Sequence, residues 1–164
     1  MLVLRRRAQE ILRLDQQIRE NEKRLRTILV EIAPQLLEQV GVGPVVAAQL
    51  IVSYSHRGRC RSEAAFAALA GVSPIEASSG RITRHRLNRG GDRRLNRALH
   101  IVAVTRARQD PRTRAYIQRR SKDLTDREIR RMLKRYIIRD FFKVLQTIDA
   151  LDPAKTTGAV SPAA

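Results

Sequence analysis

Leu36-Leu37-Glu38-Gln39-Val40-Gly41-Val42-Gly43-Pro44-Val45-Val46-Ala47-Ala48-Gln49-Leu50-Ile51 is the stretch that decides the fold. A short apolar helix leads into Gly-Val-Gly, and Pro44 then falls in the first turn of a second helix. Proline is tolerated there because its missing N–H would have been unpaired anyway. Gly41 and Gly43 permit the positive φ and close backbone approach that a tight hairpin requires. The expected unit is a helix-hairpin-helix. Free backbone N–H groups at the start of its second helix point outward and can hold a DNA phosphate without reading sequence. A plain αα-turn with a glycine C-cap would give the same pattern without a ligand.

Upstream, Leu4, Ile11, Ile18, Leu25 and Ile32 recur every seven residues. Ala8, Leu14, Ile28 and Leu29 support them on neighbouring rows, and no Gly or Pro interrupts before Pro34. This predicts a long helix in a coiled coil or helical hairpin, or else one amphipathic helix docked on its own domain. Arg7 and Asn21 sit on the seam where Leu is expected, which weakens it and favours partner or register selection.

Downstream, Ser62 and Glu63 open a helix that ends at Gly71. A loop through Pro74 to Gly91 carries Ser78-Ser79-Gly80 and a dense run of Arg. From Asp92 the pattern is helical again, with Leu95, Leu99 and Val102 inward and Arg93, Arg94 and Arg97 outward. Asp110-Pro111 is a cap-then-proline start. Thr125 and Glu128 form a capping box before a final helix whose apolar face runs from Ile129 to Ile148. No segment alternates as a strand would, so the expected fold is all-α. The expected division is a coiled-coil helix over residues 1–35, a helical domain over 36–150 and a disordered tail over 151–164.

Lys and Arg number 33 against 16 Asp and Glu, a formal net charge of +17, and Arg dominates. Such an excess selects polyanions, and the planar guanidinium fork suits phosphate. High-GC codon usage enriches Arg as well. No apolar run is long enough to span a membrane. The basic residues Arg5, Arg6 and Arg7 follow the first apolar ones, the reverse of a signal peptide. Cys60 is single, and His56, His85 and His100 are not spaced with it as metal ligands. The chain reads as cytoplasmic, metal-free in itself and without membrane contact.

These pieces together resemble the C-terminal transposase domain of insertion-sequence family one-ten, relatives of the pilin-gene invertase. The likeness is carried by Gly41-Val42-Gly43-Pro44 and by Ala67-Ala68-Leu69-Ala70-Gly71-Val72-Ser73-Pro74. It continues through Ser79-Gly80, Asp92-Arg93-Arg94-Leu95-Asn96-Arg97-Ala98-Leu99, Asp110-Pro111-Arg112-Thr113-Arg114-Ala115-Tyr116 and Lys134-Arg135-Tyr136-Ile137. The resemblance implies a recombinase that joins a carboxylate-bearing, Mg²⁺-binding nuclease-like domain to this serine-bearing one. It implies a serine–DNA phosphoester, oligomers formed through the coiled coil, and guidance by a structured RNA from the element. By position, Ser79 takes the place of the family's nucleophile, with Ser78 as its neighbour in competition. The carboxylate domain is not in this sequence.

A serine hydroxyl has a high pKa and needs a base or charge stabilisation to attack phosphorus. Around Ser79 stand Arg81, Arg84, Arg86 and Arg89, with His85 as the neighbouring base candidate and no carboxylate pair for Mg²⁺. A Ser-Gly turn is the ordinary alternative use of such a dipeptide. Seven Arg and one acid, Asp92, lie between Arg81 and Arg97, and this run is expected to be the principal nucleic-acid contact. The expected DNA-binding set is therefore Gly41, Gly43, Arg81, Arg84, Arg86, Arg89, Arg93, Arg94 and Arg97. A non-catalytic DNA-binding remnant, a junction-binding helix-hairpin-helix protein and an Arg-rich RNA binder remain open beside the recombinase.

Overall fold

A computed structural model describes residues 2–76, 85–86, 88 and 90–152. Its helices are α1 (Leu2–Ile32), α2 (Pro34–Leu37), α3 (Pro44–Tyr54), α4 (Glu63–Leu69), α5 (Arg93–Gln109), α6 (Pro111–Arg120) and α7 (Asp126–Thr147). A 3-10 turn at Asp149–Leu151 follows α7. The architecture is all-α, a long N-terminal helix followed by a multi-helix body. Between α4 and α5 lies one departure from the expected loop. β1 (Ile75–Glu76) and β2 (His85–Arg86) pair antiparallel, Ile75 opposite Arg86 and Glu76 opposite His85. Two residues per strand are too few to leave an alternation in the sequence.

Helix starts follow local chemistry. Ser62 accepts a hydrogen bond from the Ala65 N–H, and Asp92 from those of Arg94 and Leu95. Asp110 caps α6 ahead of Pro111. Thr125 and Glu128 make the reciprocal capping box of α7. Each satisfies N–H groups that the first turn would otherwise leave unpaired.

The core joins helices distant in sequence. Tyr54 of α3 and Phe66 of α4 meet edge to face with centroids 5.5 Å apart. Phe142 of α7 closes the aromatic trio, 6.0 Å from Tyr54. Leu95, Leu99 and Val102 of α5 and Ile138, Phe141 and Leu145 of α7 are fully buried beside them. The end of α1 enters the same core through Leu29 and the following Ala33. Residues 2–24, by contrast, are exposed throughout. At 1.5 Å per residue they project roughly 35 Å from the body. Among the described residues no helix is long and apolar enough to cross a membrane.

Candidate nucleic-acid interface

The α2–α3 pair is a helix-hairpin-helix-like unit whose two glycines do different jobs. Gly41 has φ +82°, the left-handed region that an L side chain resists. A Cβ there would also lie 3.2 Å from Thr105 Cβ on α5, so the bare backbone lets the hairpin pack against that helix. Gly43 differs from the expectation. Its φ is −93° with extended ψ, and nothing stands within 4 Å of where its Cβ would be. It opens α3 as an exposed N-cap without a side-chain bond, so only Gly41 needs the glycine conformation. Arg106 of α5 secures the turn by donating from Nε to the Val40 carbonyl at 3.0 Å. The same guanidinium lies over the Phe141 ring at 5.4 Å and is drawn toward Asp140, 3.7 Å away. Burial pushes its pKa down despite the opposing charges of Asp140 and Asp110. This arginine is structural, and nothing in its local spacing distinguishes it from the exposed ones.

Arg93, Arg94 and Arg97 occupy the first turns of α5, all exposed. Among the described residues no acid forms an ion pair with any of the three. Asp92 is spent on the cap. Burial pushes its pKa up, but the Ser53 hydroxyl, the Leu95 and Arg94 N–H groups and the Arg94 charge hold it below the usual range. Ser53 donates to Asp92 at 2.7 Å and accepts from Gln49 at 2.9 Å, which locks the start of α5 onto α3. Gly41 meets α5 near Thr105, about eight to twelve residues along from these arginines, or roughly 12–18 Å at the helical rise. The structure thus keeps Gly41 and the arginine face at opposite ends of α5.

The arginine-rich segment is held at its base. Gly71, φ +67°, ends α4, and Gly91 crosses it so closely that a Cβ on Gly91 would fall 2.3 Å from Gly71 N. Asp92 N–H bonds to the Leu69 carbonyl at 2.7 Å, and Asn96 Nδ2 to that of Ala70 at 2.7 Å. Asn88 reaches the Ala68 carbonyl, 3.3 Å away. Arg86 lies exposed on β2. Ser79, Ser78, Arg81, Arg84 and Arg89 lie outside the described residues, as does the tail beyond Asp152. A hollow of about 230 Å³ beside the crossing is lined by Asn88, Arg93, Asn96 and Lys134. Lys134, on α7, donates to Asn96 Oδ1 at 2.9 Å. No role for Lys134 is legible in its local sequence, because this partner lies 38 residues away. Among the described residues no three His, Cys, Asp or Glu side chains gather closely enough to hold a metal ion.

Comparison with known proteins places this arrangement. The transposase IS116/IS110/IS902 family matches residues 33–118, the stretch from the hairpin through most of α6. An uncharacterized 43.6 kDa protein of insertion element IS110 from Streptomyces coelicolor (strain ATCC BAA-471 / A3(2) / M145) is 35% identical over 89 residues. That alignment takes in 54% of this chain but 22% of the relative, so the chain matches about a fifth of that protein's length. The family match covers both the hairpin and the arginine face of α5, and on it the chain belongs to the IS116/IS110/IS902 transposase family.

Proposed function

We propose that this chain is the DNA-binding, serine-bearing C-terminal part of a transposase, a site-specific recombinase related to the pilin-gene invertase. Family membership over residues 33–118 is the observation that carries the reading. The exposed Arg93, Arg94 and Arg97 supply the main phosphate contacts, and Arg81, Arg84, Arg86 and Arg89 add to them. The α3 N-terminus at Gly43 adds a sequence-independent contact. Ser79 is the nucleophile. Its Oγ bonds to phosphorus as a phosphorus–oxygen bond to the sugar breaks, and the serine proton ends on the released sugar oxygen. Neighbouring guanidinium groups stabilise the charge on the phosphoryl oxygens. The carboxylates come from a nuclease-like domain with which this part is combined, and a structured RNA of the element supplies sequence choice. The apolar row of α1 serves oligomerisation.

The test has two arms. Replacing Arg93, Arg94 and Arg97 with Gln should lower the slope of log K against log salt on duplex DNA by about 2.7, at roughly 0.9 for each phosphate no longer neutralised. An unchanged slope removes this face as the binding surface. Ser79→Ala, in the protein carrying the nuclease-like domain, should abolish covalent DNA capture and leave affinity within about twofold. Capture that persists refutes the nucleophile.

A further inference from the structure

On the far side of the Gly71 crossing a larger cleft of about 620 Å³ separates the Gly71–Pro74 turn and Arg86 from one face of α7. That volume falls in the range of about 300–1,000 Å³ typical of small-ligand pockets. Its lining combines apolar and basic side chains. Val72, Pro74, Leu124 and Met132 give apolar walls, and Tyr136 adds an aromatic ring that is 44% exposed. Tyr136 is braced edge to face by Tyr116, centroids 5.6 Å apart, so its ring is held in place before any ligand arrives. Arg131, Arg135 and Arg139 line the cleft at four-residue spacing along α7, joined by Lys134 and by Arg86 opposite. Glu128 is the one acid among the described lining residues. Behind them Glu63 is shared between Arg135, at 3.1 Å, and Arg139, at 3.7 Å. Among the described residues Arg135 Nη1 has no acceptor.

We propose that this cleft binds an unpaired nucleotide of a nucleic-acid strand, its base against Met132 and Tyr136 and its phosphate among Arg131, Lys134 and Arg135. The inference rests on the nucleic-acid binding proposed above and adds a second site with a different preference. A basic surface alone would take duplex as readily as single strand. An apolar wall and an aromatic ring have nothing to meet on a duplex, whose bases are stacked on one another, and they gain from a base turned outward. Lys134 agrees with this placement. Burial, and then the Arg131 charge, push its pKa down, so an anion between the two relieves both.

Binding of the full chain to three labelled probes of equal length decides the matter: oligothymidylate, oligouridylate and a DNA duplex. Tyr136→Ser and Arg131→Gln alter exposed side chains, and circular dichroism checks that each variant is folded. Each should weaken binding to at least one single-stranded probe about tenfold and to duplex by less than about twofold. Whichever single strand responds identifies DNA or RNA as the source of the nucleotide. Equal loss on all three probes, or none on either single strand, overturns the cleft while leaving duplex binding in place. Failure of the unaltered chain to bind any probe overturns the nucleic-acid reading itself.

Discussion

At the scale of single residues the glycines separate conformation from space. Gly91 is required for space, since a Cβ would lie 2.3 Å from one backbone atom of Gly71 and 2.5 Å from another. Backbone cannot swing aside as a side chain can, so Gly91→Ala should destabilise by about 3 kcal/mol, the upper end of overpacking costs. Gly43→Ala meets open space and should cost about 1 kcal/mol or less, chiefly as a poorer cap. Urea unfolding of the two variants checks the contrast, and equal losses would contradict the crossing. Gly43 was legible in the sequence as part of a hairpin but not in its conformation, because Gly-Val-Gly does not say which glycine carries the positive φ. The contact of Gly91 with Gly71 was not legible at all. It joins positions 20 apart through a crossing that no local pattern encodes.

Among the elements, helices with chemical punctuation could be read closely from sequence. Ser62, Asp92, Asp110 and Thr125 announce α4, α5, α6 and α7 because a cap needs only residues two or three positions away. Arg131, Arg135 and Arg139 of α7 stand at four-residue spacing, but nothing in the local sequence marks them off from the other arginines. Their meaning depends on the Gly71–Pro74 wall, roughly 60 residues upstream, and that wall exists only in the folded chain. The seven-residue period of α1 was legible as a long helix, while its uncovered length was not. Leu4, Ile11 and Ile18 are 55–71% exposed on a helix that, among the described residues, packs into the core through Leu25 and Leu29. A helix so exposed gains little from its own body, and the oligomer proposed above would cover it. Ile11→Gln with Ile18→Gln should shift the chain to a smaller species in sedimentation at micromolar concentration, with the core intact. An unchanged mass would show that this row does not hold copies together.

For the whole molecule, pH dependence integrates several caps. Asp110 is held low first by the Thr113 hydroxyl, against burial, then by the Arg112 and Thr113 N–H groups and the Arg106 charge. Glu128 is lowered by the Thr125 hydroxyl and backbone, and Asp92 by the contacts at the start of α5. Folded values below the unfolded ones mean stability that is full above the unfolded pKa and lost as pH falls through the folded values. Unfolding free energy should therefore be flat near neutrality and decline below about pH 4, where carboxyls of the unfolded chain also titrate. Asp92→Asn, which keeps a capping oxygen, should make that acid decline shallower. A decline equally steep in the variant would assign it to other groups. The Gly71–Gly91 crossing has a consequence of a different kind. The end of α4 and the start of α5 are fixed to each other at this crossing, so the length of the chain between them is uncoupled from the register of the helices. Doubling such a segment costs only about 0.6 kcal/mol in closure entropy. The helical body can thus keep its packing while the connection in which the candidate serine stands changes in length.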